Sequence, residues 1–156
     1  MNSIHFIVRS ALALSIWMGC LAQNVRVAGA QIDSSVPSVI QAGFELWPKT
    51  GPNIAVDTWR MGGLMQNDNA LPMHVNYLKE AQRALGAYKS YELIQSREIG
   101  RQSKFIYLSI NFQRGAVYAR FLMYRAERDW VVQSMAFDTK PESLMPWLAL
   151  AGEPQN

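Results

Sequence analysis

Phe105-Ile106-Tyr107-Leu108-Ser109-Ile110-Asn111-Phe112, followed by Gln113-Arg114-Gly115, decides the fold. Side chains alternate across a strand, so Ile106, Leu108, Ile110 and Phe112 share one face and Phe105, Tyr107, Ser109 and Asn111 the other. A two-residue loop at Arg114-Gly115 places Phe112 opposite Val117, Ile110 opposite Ala119, Leu108 opposite Phe121 and Ile106 opposite Met123. Every pair on that face is apolar, as a core-facing register requires. A second reversal at Glu127-Arg128-Asp129 brings Trp130, Val132, Ser134 and Ala136 to the same face. An earlier strand, about Tyr88 to Ile99, turns at Gly100-Arg101 and adds Tyr91 and Leu93. Four strands in a meander thus share one apolar face.

Outward from the meander, three helical stretches precede it. Ser35 caps the first, with Val36, Val39, Ile40, Gly43, Phe44 and Trp47 at helical spacing, and Pro48 ends it. A weaker one runs from about Asn53 to Met65 and softens at Gly62-Gly63. Asn69 caps the third, whose stripe is Leu71, Val75, Leu78, Gln82 and Leu85, with Gly86 at its end. After the sheet, Asp138 or Thr139 caps a short helix carrying Leu144, Trp147 and Leu148, and Glu153 to Asn156 frays. Helices followed by an antiparallel meander predict an α+β fold: N-terminal helices on a four-stranded antiparallel sheet, then a short C-terminal helix.

Residues 1–30 read as a signal peptide. Arg9 closes a weakly basic start, Ala11 to Ala22 is an apolar run too short to span a bilayer, and Ala28-Gly29-Ala30 supplies the small-x-small cleavage pattern. The competing reading makes Cys20 a lipidated N-terminus; Trp17 and Met18 fit that pattern poorly. Cleavage at Ala30 predicts a periplasmic or secreted domain of residues 31–156. Arg9, Arg26 and the single cysteine leave with the leader, so 13 basic residues face 12 acidic ones and the net charge falls from +3 to +1. Such a balance gives no reason to invoke nucleic acid or insertion into a membrane. An exported domain without disulfides suits a bacterial periplasm.

Leu85-Gly86-Ala87-Tyr88-Lys89-Ser90-Tyr91-Glu92, Ala119-Arg120-Phe121 with Tyr124-Arg125, Asp129-Trp130-Val131-Val132, and Phe137-Asp138-Thr139-Lys140-Pro141-Glu142 follow in an order that resembles the nuclear transport factor 2-like (ketosteroid-isomerase-like) cone of the cystatin-like group, over about residues 36 to 148. The likeness is to small exported bacterial domains of that group. It implies helices closing over one sheet face, and dimers formed through the sheet. It does not select a function, because that fold hosts isomerases, dehydratases, transport adaptors and binding domains. Pro146-Trp147 is similar to the tryptophan loop of cysteine-protease inhibitors, but no Gln-x-Val-x-Gly segment accompanies it.

Counting narrows the chemistry. After cleavage His74 is the only histidine and no cysteine remains, so a zinc site lacks ligands and neither metal nor cofactor is implied. No Gly-x-Ser-x-Gly elbow exists, and Arg60-Met61-Gly62-Gly63 lacks the strand and lysine of a phosphate loop. On the second sheet face Glu92 falls opposite Ser109 and Ser109 opposite Arg120, with Tyr107, Tyr118 and Tyr124 nearby. That face is either solvated, with an ordinary ion pair, or a contact surface of Tyr107, Tyr118, Arg120, Tyr124 and Glu92. Under the helices, Phe44, Trp47, Trp59, Tyr77, Phe121 and Trp130 either fill the core or line a pocket for an apolar small molecule. In the pocket case Asp57, with His74, is the candidate acid–base pair of a metal-independent isomerase or dehydratase. The residues favour a binding domain whose partner, unnamed by the sequence, is a protein, a second copy of the chain or an apolar small molecule.

Overall fold

The computed structural model describes residues 35–67 and 71–147. The expected signal peptide, Cys20, the Asn69 cap, Leu148 and the frayed end lie outside them. The elements are α1 (Ser38–Thr50), α2 (Pro52–Trp59), a 3-10 turn (Leu64–Asn67), α3 (Leu71–Leu85), β1 (Tyr88–Glu98), β2 (Ser103–Phe112), β3 (Ala116–Ala126), β4 (Asp129–Asp138) and α4 (Pro141–Leu144). The strands form one open antiparallel sheet in the order β1-β2-β3-β4, so the fold is α+β as the sequence predicts.

Helices α1, α2 and α3 bury their apolar stripes against one sheet face, here called the inner face. Ile40, Phe44, Trp47, Val56, Trp59 and Leu78 meet Ile106, Leu108, Ile110, Val117, Ala119, Phe121 and Met123 in one continuous core. Tyr91 and Leu93 pack against it as expected. Helix α1 differs from expectation at both ends. It starts after Pro37 rather than at a Ser35 cap, and it runs through Pro48 to Thr50. A proline removes one helical donor, yet the last turn still closes through Gly51 N–H on the Trp47 carbonyl at 2.8 Å. Helix α2 stops at Trp59, short of the expected Met65, and the chain crosses Gly62-Gly63 before the 3-10 turn.

The β2–β3 register is two residues from the one expected. Ile106 faces Phe121, Leu108 faces Ala119 and Ile110 faces Val117, which makes Gln113-Arg114 the loop. The reason lies outside the hairpin. Gln113 N–H donates to the Ala87 carbonyl (3.1 Å), and Arg114 N–H to that of Leu85 (2.9 Å), so the end of α3 claims the turn. A slip of two returns every side chain to its own face, which is why the inner face stays apolar.

The β3–β4 pairing corrects a face. Met123 pairs with Val132 but Leu122 with Ser134, so Gln133 is the extra residue of a bulge. Trp130 and Val132 keep the inner side. Beyond the bulge Met135 and Phe137 replace the expected Ser134 and Ala136 in the core. The small and polar side chains turn to the other face.

That outer face carries α4. The N-cap is Lys140 rather than the expected Asp138 or Thr139; Lys140 N–H donates to Asp138 Oδ1 at 2.8 Å, so Asp138 holds the turn that leads into the helix instead of capping it. Leu144 and Met145 then fold back over Tyr107, flanked by Phe105, Tyr118, Ala136 and Trp147, in a second small core. Among the described residues no helix is long and apolar enough to cross a membrane.

Candidate functional site

Under the helices, where a pocket was an open reading, the aromatic side chains fill the space. Phe44 stacks on Tyr91 at 4.3 Å between ring centroids, and Trp47 on Tyr88 at 5.1 Å. Trp59 meets Phe121 edge-on at 5.2 Å. None of Phe44, Trp47, Trp59 and Phe121 is more than 2 % exposed. Both indole donors are consumed inside: Trp47 Nε1–H donates to Gln82 Oε1 (3.1 Å) and Trp59 Nε1–H to the Ile40 carbonyl (3.0 Å). Burial beside Tyr91 pushes the Tyr88 hydroxyl well above the usual phenol range. These four aromatics act as core.

Trp130 lies apart from them, at the lower end of the sheet. Lys104 Nζ sits 4.4 Å from its ring centroid and the Arg125 guanidinium 4.8 Å. Desolvation, then the nearby Arg125 charge, lowers the Lys104 ammonium below its ordinary range, with Glu98 opposing. Lys104 also reaches the Ser35 carbonyl (3.5 Å), so this cluster anchors the chain as it enters α1.

Asp57 and His74 occupy different surroundings. Asp57 Oδ1 lies 3.0 Å from Arg60 Nε across one turn, and the Asp57 side chain is 39 % exposed. Oδ1 has no aligned donor, so the pair is held by charge and contributes at most about 1 kcal/mol. His74, on α3, packs edge-on against Phe137 with centroids 5.7 Å apart. Tyr77 stacks on the same ring at 6.4 Å, its hydroxyl raised by burial and then by the Asp138 charge, and lowered by a hydrogen bond with the Thr139 backbone. Among the described residues no three His, Cys, Asp or Glu side chains cluster closely enough to hold a metal ion.

Chemically varied side chains gather on the outer face, which reads in rows across the strands. Arg97, Phe105, Leu122 and Ser134 form one row, and Gln95, Tyr107, Arg120 and Ala136 the next. Glu92, Ser109, Tyr118 and Asp138 form the third, then Ser90, Asn111 and Ala116. Glu92 thus faces Ser109 as expected, but Ser109 faces Tyr118, and Arg120 faces Tyr107. This is the same two-residue slip, and it removes the expected Glu92–Arg120 meeting across Ser109. Arg120 instead lies over the Phe105 ring, 5.5 Å from guanidinium carbon to centroid. Ser109 O–H donates to Asn111 Oδ1 (2.7 Å), and Asn111 Nδ2–H to Ser90 Oγ (3.3 Å).

Tyr107 departs most from the expected contact surface. It is 4 % exposed, beneath Met145 and edge-on to Trp147 at 4.8 Å. Burial raises its hydroxyl above the phenol range, against the Arg120 and Arg97 charges, which lower it. Tyr124 stands three rows from Tyr118, about 20 Å along β3. Its hydroxyl bonds to Gln102 Oε1 (3.2 Å). With Gly62, Gly63, Leu64, Val131 and Gln133 it lines an open groove of about 500 Å³, which the sequence did not disclose. At its edge Gly63 lies against the backbone of β4: a Cβ there would stand 2.3 Å from the Val132 carbonyl oxygen. Gly62-Gly63 was the one available signal. Phe105 was expected on this face, but Arg97 and Trp147 were missed as its partners; three helices already filled the inner face, so an apolar terminal helix had only the outer one to cover.

No protein-family model, no curated protein and no solved structure matches the chain.

Proposed function

We propose that the chain is an exported binding domain without catalysis, and that it receives a protein on the outer face of its sheet. The observation that carries this reading is the contrast between the two faces. The inner face is closed by aromatics whose donors are satisfied internally. The outer face keeps Glu92, Tyr118, Arg97 and Arg120 beside the half-buried Phe105 and Trp147. Tyrosine, tryptophan and arginine around a small apolar centre are the side chains on which protein contacts concentrate. The isomerase or dehydratase reading draws little from Asp57, which is ion-paired on α2, or from His74, which packs on Phe137. Among the described residues, an open groove at Gly62-Gly63 offers a small molecule more room than the packed core aromatics do.

Native mass spectrometry of the chain purified from its native source tests the reading. A protein, or a second copy, should remain bound and be lost on Tyr118→Ala with Arg120→Glu. A bare chain, or one carrying only a small molecule, overturns it.

A further inference from the structure

Arg97, Arg120, Glu92 and Asp138 carry charge in the middle rows of the outer face, and they are segregated along it. Arg97 and Arg120 stand in the two rows of Phe105 and Tyr107, and Glu92 and Asp138 in the next row. Among the described residues neither arginine forms an ion pair; the ion pairs there are Arg60–Asp57 and Arg83–Glu80. Asp138 is engaged by the Lys140 backbone. Phe105 lies between the arginines, with Arg97 its cross-strand partner on β1 and Arg120 over its ring from β3. Strands two apart in a sheet are separated by about 10 Å. An arginine held over an aromatic ring can still offer N–H donors to a carboxylate.

We infer that the Arg97–Phe105–Arg120 patch receives a short acidic protein segment, in which two carboxylates flank an apolar side chain. The inference rests on the protein-binding reading above and names the partner's chemistry. The carboxylates take the two guanidinium groups, and the apolar side chain covers Phe105 beside Trp147. Charge complementarity sets the direction: a basic segment would meet two arginines, and a polyanion such as RNA would run on from them into Glu92 and Asp138. The patch lies on an open sheet face, which suits a chain segment better than a free small anion.

Fluorescence anisotropy of a fluorescein-labelled peptide of alternating glutamate and leucine tests this on the mature chain. Binding should saturate, exceed that of the lysine–leucine counterpart at least tenfold, and weaken at least tenfold in Arg97→Glu/Arg120→Glu. Arg101→Glu/Arg128→Glu changes the net charge equally at exposed turns and should stay within twofold. Equal weakening in both double variants reduces the effect to the overall field and overturns the inference. Displacement of the peptide by inorganic phosphate at equal carboxylate-equivalent concentration overturns it too, because the patch is then a simple anion site. A tenfold gain on ending the chain at Trp147 assigns the patch to the chain's own residues beyond it. A dimer split by Arg97→Glu/Arg120→Glu assigns it to a second copy. Either outcome overturns the acidic-partner inference. If the double variant fails to fold, Arg97→Gln and Arg120→Gln singly carry the same comparison. A native protein partner lost on Tyr118→Ala but kept by Arg97→Glu/Arg120→Glu sinks this inference and leaves the broader reading standing.

Discussion

Gly43→Ala sets two effects against each other at the contact between α1 and α2, and the structure decides the winner. Gly43 is buried inside α1, where alanine gains about 1 kcal/mol of helix propensity over glycine. The added methyl, however, would stand 2.0 Å from Trp59 Nε1, 2.5 Å from Cδ1 and 2.7 Å from Cε2. These atoms belong to a rigid ring that is 0 % exposed and wedged against Phe44 and Phe121, so it has nowhere to withdraw. Overpacking of this kind costs about 1–3 kcal/mol. Tilting the indole to relieve it breaks the hydrogen bond to the Ile40 carbonyl and leaves a buried donor unsatisfied, at about 1–3 kcal/mol more. Less the propensity gain, the net loss centres on about 3 kcal/mol.

Urea unfolding measures it. With a slope of about 1.5 kcal/mol/M, the midpoint should fall by about 2 M with the slope unchanged. Trp59→Phe supplies the control, because it removes the Nε1 atom that the methyl strikes. Gly43→Ala should therefore cost less in the Trp59→Phe background, with a coupling of at least about 1 kcal/mol. A Gly43→Ala midpoint equal to or above that of the parent would refute the close helix approach on which the filled core depends.

Two further perturbations test the two cores. Burial raises the hydroxyls of Tyr88, Tyr77 and Tyr107, so above pH 10 the unfolded chain loses protons that the folded one keeps. The tyrosine contribution to stability should be constant below about pH 10 and fall as pH rises beyond it, most strongly for Tyr88, by up to about 1.4 kcal/mol per pH unit; urea midpoints in Tyr88→Phe should show a shallower fall, and an identical pH profile would contradict the burial of that hydroxyl. Met145→Ala removes a fully buried side chain from over Tyr107 and should cost about 2–4 kcal/mol while accelerating chymotryptic cleavage near Trp147. An unchanged melting temperature would mean that α4 does not clamp the outer face.

What was legible in the residues follows from the period of two. Tyr91, Leu93, Ile106, Leu108, Ile110, Val117, Ala119, Phe121 and Met123 all reach the inner face although the expected β2–β3 register was wrong, because an even slip preserves the face. An odd insertion does not, and nothing local to Gln133 announces the bulge that exchanges Ser134 and Ala136 for Met135 and Phe137. The turn at Gln113-Arg114 was illegible for a similar reason. Its position is set by carbonyls of Leu85 and Ala87, more than 20 residues earlier in the chain. The candidate site suffered most, since Glu92, Ser109 and Arg120 were related through that register, and Tyr107 was expected to be open before α4 had been given a place.

The two sheet edges strengthen the case for the outer face as the place of contact. A partner strand needs an uninterrupted row of backbone donors and acceptors, and neither edge presents one. On β4, Gly63 packs against the Val132 carbonyl, closing part of that edge with the chain's own loop. On β1 the pairing with β2 shifts between Tyr88 and Ser90 and again between Leu93 and Gln95, so Lys89 and Ile94 are bulged, and Glu92, Arg97 and Glu98 add charge. Bulges and charges are the devices by which open edges resist strand addition. With the inner face filled and both edges guarded, the proposed contact falls to side chains on the outer face. On that proposal, binding should depend on Arg97, Arg120 and Tyr118 and leave the backbone of β1 as exposed to hydrogen exchange as before. Protection of β1 amides on binding would instead mean that a strand had been added at the edge.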